Sequence, residues 1–361
     1  MKKTYLIPGP VMAPKEVLAA YNQNYGSSDL DPEFLKLYAQ TVKLWQRILY
    51  TKNDFVMMTG EGMLGLWGAL KSCLKPRDKV LAIDNGIFGA GIAAMAKTIG
   101  ATVEVVKFPY NEAVIDVGCI EAVIKKFSPK MITVVHCETP SGILNSIAAI
   151  GELKKKYKIP LLCVDAVSSI GGTPVKVDEW NIDICLGGSQ KAPSALADMT
   201  FLTVSPTAWD IIEKINYIGY DALLPFKNVL KTAYFPYTPH WHGVAALNVA
   251  AKLILEEGLT NVFKRHQKVA KFCRNEIVKL GLELFPAEQR FSSPTVTAIK
   301  VPEQISWSVL DKKLRANNLF LGGSYGILKD KVFRIGHMGA QADVKLMERS
   351  IELVHRIWCR L

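Results

Sequence analysis

Residues 161–191 read LLCVDAVSSIGGTPVKVDEWNIDICLGGSQK, and two apolar runs in this stretch decide the fold class. The run 161–164 is typical of a parallel strand that is buried on both faces, and it ends at Asp165. The run 182–186 predicts a second such strand, and it ends shortly before Lys191. Because ligands bind at the carboxyl ends of strands in open parallel sheets, we expect Asp165 and Lys191 to meet at a site.

The same alternation of strands and helices extends over residues 55–204. We predict strands at 55–58, 79–83, 102–106, 131–135, 161–164, 182–186 and 200–204. A long helix at 242–257 is followed by helix 261–280, strand 295–301, helix 306–317, strand 331–335 and helix 343–358. This order predicts an α/β fold with a mostly parallel sheet in a large domain and a smaller α+β C-terminal domain. We assign 1–20 to an N-terminal arm that lines the active site, 21–257 to the large cofactor-binding domain and 258–361 to the small domain.

Composition excludes several classes of protein. The chain has 361 residues, of which 49% are hydrophobic, so it can bury a large core. Its formal charge of +11 comes from basic residues spread along the chain, and we expect the one run of three, 154–156, to lie on a solvated helix face. We therefore expect no nucleic-acid partner, and the positive field favours small anionic substrates.

The termini and cysteines bear on the compartment. The chain has no apolar stretch of membrane-spanning length, and Pro8 and Gly9 interrupt its start too early for a signal peptide. The seven cysteines have no metal-ligand spacing, which indicates reduced thiols and no metal. The last residues, 359–361, resemble a peroxisomal address, but they continue an apolar helix. We expect a cytoplasmic protein without a membrane partner.

Asp165 and Lys191 are the pair of residues that pyridoxal chemistry requires. A carboxylate keeps a pyridine nitrogen protonated so that the ring withdraws electrons, and a lysine amine holds the aldehyde as a Schiff base. Either residue alone would more often be a turn former or a solvated side chain. Their joint position at strand ends favours a pyridoxal cofactor, with both residues catalytic.

An anion site is predicted after the first strand. Strand 55–58 runs into TGEGMLG at 59–65, where free N–H groups of a helix N-terminus and glycines allow close approach of a phosphate. The same residues match G-x-G-x-x-G, and Asp84 ends the next strand, where a dinucleotide fold has its ribose-binding acid. An NAD-dependent oxidoreductase is therefore an alternative, although it gives no role to Asp165 or Lys191.

Two further strand ends carry candidate side chains. Phe88 follows the strand at 79–83, and an aromatic ring there can stack on a planar pyridine. Thr139 follows the strand at 131–135, where its hydroxyl can lie beside the ring. We expect His136 to be a buried, hydrogen-bonded imidazole and not a catalyst.

Motifs along nearly the whole chain resemble those of the class V aminotransferases of pyridoxal-enzyme fold type I, in the alanine:glyoxylate and serine:pyruvate branch. They are PGP at 8–10, TGEG at 59–62, NGIFG at 85–89, ETPSG at 138–142, VDAVSS at 164–169, GSQK at 188–191, PTVT at 294–297 and FRIGH at 333–337. The resemblance implies a fold type I enzyme that uses pyridoxal 5'-phosphate. It also implies a homodimer with shared active sites.

The resemblance implies roles for individual residues. Lys191 corresponds to the Schiff-base lysine and general base, Asp165 to the partner of the pyridinium, and Phe88 to the stacking ring. Arg334 corresponds to the arginine that binds the substrate carboxylate, in a site that Gly9 also lines. The remaining cofactor-binding residues are the phosphate ligands Gln190, Gly62 and Met63, Thr238 from the partner subunit, and Glu61, Thr139 and Val167.

Departures from the family pattern bear on the substrate. Family members commonly have serine in place of Glu61, and a loop richer in Pro and Gly than 192–197. Glu61 and the stretches 109–113 and 336–339 are similar to pyridoxamine:pyruvate aminotransferase, whereas Tyr325 stands where that enzyme has an arginine. The sequence predicts transfer of an amino group from alanine or serine to glyoxylate or pyruvate. Pyridoxamine:pyruvate transamination is the alternative, followed by carbon–sulfur or decarboxylating chemistry on the same cofactor.

Overall fold

A seven-stranded sheet forms the centre of the molecule in the computed structural model, which describes residues 3–359. Its strands are β2 (Asp54–Thr59), β3 (Lys79–Asp84), β4 (Thr102–Lys107), β5 (Met131–Val135), β8 (Leu161–Asp165), β9 (Ile184–Gly188) and β10 (Met199–Val204). They lie in the order β2-β10-β9-β8-β5-β3-β4. Only β10 is reversed, since it pairs antiparallel with both neighbours while the other described pairings are parallel. The predicted mostly parallel sheet is confirmed.

Helices cover both faces of this sheet because every central strand is buried on both sides. In β8, Leu162 and Val164 point into one core and Leu161 and Cys163 into the other. The helices that pack in the first core are α1 (Lys15–Tyr21), α2 (Pro32–Ile48), α5 (Gly118–Phe127), α6 (Ala148–Lys156), α8 (Val229–Thr232) and α9 (Trp241–Glu257). Those in the second core are α3 (Gly62–Cys73), α4 (Ile87–Thr98) and α7 (Pro206–Ile215).

The C-terminal part builds a third core around an antiparallel sheet. Its elements are α10 (Leu259–Lys279), β11 (Val296–Lys300), α11 (Trp307–Ala316), β12 (Leu319–Phe320), β13 (Gly322–Gly323), β14 (Val332–Gly336) and α12 (Val344–Trp358). The strands lie in the order β11-β14-β13. These bounds agree with the predicted helices and strands to within two residues at each end, apart from the short β12 and β13, which the sequence did not indicate.

The N-terminal segment connects the two sheets. Strand β1 (Thr4–Tyr5) pairs with β12, and Leu6 packs in the third core. The chain then crosses to the main sheet, where the amide of Val11 donates to the carbonyl of Gln190 at 3.0 Å. A short hairpin of β6 (Cys137–Glu138) and β7 (Ile143–Leu144) completes the described strands. The segment therefore lies across the edge where the site is expected.

Strand β9 differs from its prediction, which was 182–186. Glycine is disfavoured in strands, so the sequence indicated an end before Gly187. In the structure Gly187 and Gly188 continue the strand because they pair with Phe201 and Thr200 of β10. Only glycine fits at 187, since a β-carbon there would lie 2.0 Å from the ring of Phe201. The strand therefore extends to Gly188, close to Lys191.

The lysine run at 154–156 is not a wholly solvated face, which corrects the sequence expectation. Lys154 is half-buried, and its ammonium lies 3.0 Å from a carboxylate oxygen of Asp183. Asp183 is itself buried and also accepts hydrogen bonds from the amide of Leu162 and the hydroxyl of Ser205. Lys154 thus neutralises a buried acid beside the central sheet.

The structure also bears on membrane helices, metal sites, cysteines and the C-terminal residues. Within residues 3–359 no helix is both long and apolar enough to cross a membrane, and no cluster of three or more His, Cys, Asp or Glu side chains could hold a metal. The seven cysteines are unpaired, and burial raises the pKa of the Cys163 thiol to about 12. The resemblance of 359–361 to a peroxisomal address rests on residues 360 and 361, which lie outside the described part of the chain.

Candidate active site

The carboxyl ends of β2, β3, β5, β8 and β9 meet at one edge of the sheet, and a cavity of about 250 Å³ opens there. Its lining consists of Gly9, Pro10, Glu61, Gly62, Met63, Leu66, Phe88, Cys137, Thr139, Asp165, Val167, Ser168, Leu186, Gln190, Lys191 and Tyr325. Every predicted site residue is included except Thr238 and Arg334. The parallel sheet therefore brings five segments of sequence to one cavity, and the N-terminal segment and Tyr325 complete its lining.

Asp165 is the last residue of β8 and is buried. The amide of Val167 donates to its Oδ1 at 3.0 Å, which fixes the carboxyl group at the cavity wall. Burial raises the pKa of Asp165 to about 6, and the charge of Glu61 also raises it, while the Val167 amide and Lys191 act in the opposite direction. A cationic group against this carboxyl would relieve the cost of its burial.

Lys191 meets the N-terminal segment inside the cavity. Its ammonium donates to the carbonyl of Pro8 at 2.7 Å. Gly9 has a φ of +89°, and a β-carbon there would lie 2.6 Å from Lys191 Nζ, so only glycine fits beside the amine. The pKa of Lys191 is lowered to about 8. Burial is the larger cause, and the positive charge of Arg334 acts in the same direction. The amine is therefore substantially neutral in mildly alkaline solution.

The start of α3 offers an anion site on the opposite side of the cavity. No side chain caps this helix, so its first amides, at Gly62 and Met63, lack a capping acceptor. A β-carbon on Gly62 would lie 3.0 Å from Val167, which keeps the backbone close to the cavity floor. Gln190 is buried, and its Oε1 has no hydrogen-bond partner among the described residues. The free helix amides fit a phosphate group. Gln190 could add its side-chain N–H groups as donors to the same anion, whereas its Oε1 is an acceptor and could not contact it.

Phe88 lies in the first turn of α4 and contributes the aromatic wall of the cavity. A buried acid that was not assigned a role from the sequence, Glu138, fixes this turn. Its two carboxylate oxygens accept from the amides of Phe88 at 3.2 Å and of Gly89 at 2.7 Å. Burial raises the pKa of Glu138 to about 8, while the two amides act to lower it. The position of an acid three residues after the end of β5 was the available signal.

Arg334 lies beside the cavity, behind one of the side chains that line it. It is 2% exposed, and its guanidinium lies 4.7 Å from the centre of the Tyr325 ring, which does line the cavity. Arg334 Nε and Nη2 donate to the carbonyl of Gly323, and Nη1 donates to that of Thr139 at 3.3 Å. Three of its five N–H groups are therefore used, which leaves one on each terminal nitrogen.

The remaining predicted residues lie in distinct places. Thr238 lines a separate, smaller cavity with Tyr237 and His240, so one chain alone does not bring it to Lys191. Asp84, the acid of the dinucleotide alternative, is buried and is not among the lining residues. His136 is buried with Nδ1 2.9 Å from the Ser169 hydroxyl, and burial lowers its pKa to about 4, so it is neutral.

The arrangement can hold a planar cationic heterocycle. One wall carries a buried carboxylate, another an aromatic ring, and the amine of Lys191 faces the space between them. The anion site at the start of α3 lies at the same cavity. A pyridinium ring with a phosphate arm would satisfy all four features, so the residues present fit pyridoxal phosphate.

Relatives of known sequence resemble this chain over nearly its full length. The family described as aminotransferase class-V matches residues 5–322. An uncharacterized aminotransferase of Methanocaldococcus jannaschii is 37% identical over 94% of this chain and 88% of its own. Pyridoxamine–pyruvate transaminase of Mesorhizobium japonicum is 33% identical over 93% and 86%. Serine–glyoxylate aminotransferase of Arabidopsis thaliana is 32% identical over 94% and 86%.

Solved structures agree with this assignment. Ureidoglycine–glyoxylate aminotransferase from Bacillus subtilis has a TM-score of 0.95 at 29% identity, with 100% of this chain and 94% of that chain covered. Alanine–glyoxylate aminotransferase from Nostoc sp. has a TM-score of 0.94 at 27% identity, with 99% and 95% covered. The predicted fold type I architecture is confirmed, and an NAD-dependent oxidoreductase does not fit it. The chain therefore belongs to the class-V aminotransferase family.

Proposed function

We propose that this aminotransferase uses pyridoxal 5'-phosphate to move an amino group from alanine or serine to glyoxylate or pyruvate. The observation that carries the proposal is that the Lys191 amine and the buried Asp165 carboxylate line one cavity. The family and its fold imply the cofactor. The names of the serine–glyoxylate and alanine–glyoxylate relatives support the small substrates.

The residues that would hold the cofactor surround this cavity. Asp165 would pair with the ring nitrogen, and Phe88 would stack on the ring, with Thr139 and Val167 as further contacts. The amides of Gly62 and Met63 with Gln190 would bind the phosphate. When bound, pyridoxal phosphate supplies an electron-withdrawing ring that stabilises negative charge at the substrate α-carbon.

Lys191 would act as the proton carrier of the reaction. Its pKa of about 8 leaves a neutral amine available to take the proton from the substrate α-carbon. The carbonyl of Pro8 accepts a hydrogen bond from Nζ, so the N-terminal segment orients the amine. Arg334 would bind the substrate carboxylate with the N–H groups that Gly323 and Thr139 leave free.

We further propose that the active enzyme is a homodimer with shared sites, in which Thr238 of each chain completes the phosphate site of the other. The separate cavity of Thr238 is compatible with this arrangement. We retain the division into an arm at 1–20, a large domain at 21–257 and a small domain at 258–361. The three hydrophobic cores support the two larger units. A cytoplasmic location is also part of the proposal.

A panel of amino donors tests the proposed reaction. The purified protein with pyridoxal phosphate is incubated with alanine, serine, aspartate or pyridoxamine, each against glyoxylate and against pyruvate. Amino-acid analysis of the products should give glycine from alanine and glyoxylate, or alanine from serine and pyruvate. No turnover with alanine or serine, together with turnover of another donor, would contradict the assignment.

A second candidate, pyridoxamine:pyruvate transamination, is favoured by Glu61. This exposed acid occupies the N-cap position of α3, makes no side-chain capping hydrogen bond there, and lines the same cavity as Lys191. Two unit negative charges about 5 Å apart repel by roughly 3 kcal/mol at an effective dielectric near 20, and a phosphate dianion would roughly double that. Glu61 must therefore turn away from a phosphate, or it belongs to a site for an unphosphorylated ring.

Titration of the cofactor-free protein decides between the two candidates. We expect tighter binding of pyridoxal phosphate than of pyridoxal, and a further gain for the phosphate form in Glu61→Ser. Glu61→Gln is the matched control, since it removes the charge at nearly constant size. A preference for pyridoxal that disappears in Glu61→Ser would instead establish the second candidate.

A further inference from the structure

Tyr325 occupies the entrance of the active-site cavity. It lies between β13 and the short 3-10 turn Gly326–Leu328, and it is 53% exposed. Four of the lining residues are exposed, and we call them the mouth: Pro10, Glu61, Met63 and Tyr325. Any substrate group that is larger than the buried space must extend between these four side chains.

The mouth carries a negative charge and no positive one. Glu61 is its only ionisable acid, and the single cation among all the lining residues is Lys191, which lies deeper and is only partly exposed. A further cation, Arg334, lies behind the mouth, where it is 2% exposed and is covered on one face by the Tyr325 ring. The described residues therefore provide one fixed guanidinium for one carboxylate.

Contacts on both sides hold Tyr325 over Arg334. The guanidinium lies 4.7 Å from the centre of the ring, a cation–π arrangement. On one side, the hydroxyl of Ser324 donates to the carbonyl of Pro140 at 2.9 Å. On the other, Gly326 packs so closely on Ile87 that a β-carbon would lie 3.1 Å from its side chain. The backbone is therefore held on both sides of Tyr325, and the ring contacts the guanidinium of Arg334.

We propose that Tyr325 determines the class of substrate by restricting the site to amino acids and 2-oxo acids with a single carboxylate. The inference rests on the proposed function, because it assumes that Arg334 binds the carboxylate next to the reacting carbon. A second carboxylate on the substrate side chain reaches the mouth, where it meets Glu61 and an uncharged ring. Desolvation of that carboxylate is then uncompensated, so aspartate and other dicarboxylates are poor substrates.

The decisive variant is Tyr325→Arg, which adds a second guanidinium at the mouth. We measure kcat/KM for alanine and for aspartate, each with glyoxylate, in the holoenzyme. The wild type should favour alanine by at least about tenfold, and Tyr325→Arg should raise the aspartate-to-alanine ratio by at least about tenfold, since a charged hydrogen-bonded pair is worth roughly that much. Wild-type activity with alanine tests the proposed function separately.

Two control variants separate charge at the mouth from other effects. Ile327→Arg adds the same group at an exposed position two residues away that does not line the cavity, so it should leave the ratio unchanged. Tyr325→Phe keeps the ring over Arg334 and should keep the discrimination. A wild type that uses aspartate as well as alanine overturns the proposal, as does an equal gain in Tyr325→Arg and Ile327→Arg.

A binding measurement keeps the test independent of turnover. Calorimetric titration of the holoenzyme with propionate and with succinate should give a lower Kd for propionate in the wild type. Succinate should gain affinity in Tyr325→Arg alone. If no amino donor is turned over but this pattern appears, the proposed reaction is wrong and the role of Tyr325 stands. If succinate binds the wild type as tightly as propionate does, the role of Tyr325 is wrong.

Discussion

The two halves of the cavity are built in different ways. On the side of the main sheet, Asp165 and Lys191 follow strands that are buried on both faces, and Gln190 has a side-chain oxygen without a partner. On the opposite side, Arg334 already donates to two backbone carbonyls, and Tyr325 covers it from a partly exposed turn. The first half is open to a ligand, whereas in the second only two N–H groups of the Arg334 guanidinium remain free. We infer that the sheet fixes the chemistry, while the segment around Arg334 and Tyr325 selects the substrate.

The largest effect should come from the main-sheet half. Lys191→Ala removes the proposed proton carrier and should lower turnover by roughly 10² to 10⁴-fold or more, because general acid–base catalysis contributes that much. Steady-state kinetics with alanine and glyoxylate measure the loss. Lys155→Ala, which changes an exposed lysine, is the control and should retain activity.

Chemical labelling checks the same assignment without kinetics. Borohydride reduction of the holoenzyme, followed by peptide mass mapping, should place the cofactor on Lys191. Attachment to any other lysine would show that Lys191 is not the lysine that binds the cofactor.

A smaller effect is expected in the substrate half. Arg334→Lys should reduce kcat/KM for alanine by about 30 to 150-fold, or 2 to 3 kcal/mol, since an ammonium cannot reproduce a planar two-bond contact with a carboxylate. Binding of pyridoxal phosphate should change little, because Arg334 does not line the cavity. Arg315→Lys is the control, as Arg315 forms an exposed ion pair with Asp311 at 2.7 Å. If Arg334→Lys weakened the binding of pyridoxal phosphate as much as it lowered kcat/KM for alanine, Arg334 would serve the cofactor as well as the substrate. The two halves would then not have separate roles.

The main-sheet half could be predicted from the sequence because its signals are local. Continuous apolar runs mark strands that are buried on both faces, and in parallel strands the polar residue at each end must reach the same edge. Asp165, Phe88 and Lys191 were found in this way. The extension of β9 through Gly187 was missed, because it depends on pairing with Phe201 and Thr200 of the neighbouring strand.

The substrate half depends on contacts between distant segments, which a single sequence does not reveal. The hydrogen bonds of Arg334 involve carbonyls of Thr139 and Gly323, which lie in different parts of the fold. Its burial behind Tyr325 follows from that packing. The capping of α4 by Glu138 has the same origin, since β5 and β3 must first be adjacent. The family resemblance identified Arg334 as a substrate-binding residue, but it did not predict that the ring of Tyr325 would cover its guanidinium.

The smallest effect links the two halves through charge. Burial lowers the pKa of Lys191 to about 8, and Arg334 is the next contributor in the same direction. Only a neutral amine attacks the aldehyde of pyridoxal phosphate, so the rate at which cofactor-free protein captures it should rise with pH through about 8 and then level off. An ordinary lysine, with a pKa near 10.4, would still be almost fully protonated at that midpoint.

Arg334→Gln tests the coupling, and its sign follows from electrostatics. Loss of the positive charge stabilises the protonated form of Lys191, so the midpoint should move upward, by less than about one pH unit because burial remains the larger cause. Asp165, with a pKa of about 6, completes its ionisation at the acidic end of this range, so the rise through pH 8 should reflect Lys191. Stopped-flow absorbance from pH 6.5 to 10 measures the rate, with Arg315→Gln as a distant control that should leave the midpoint in place. An unchanged midpoint in Arg334→Gln would mean that the two halves are electrostatically independent. A wild-type midpoint near 10 would show that the pKa of Lys191 is not lowered in the cavity.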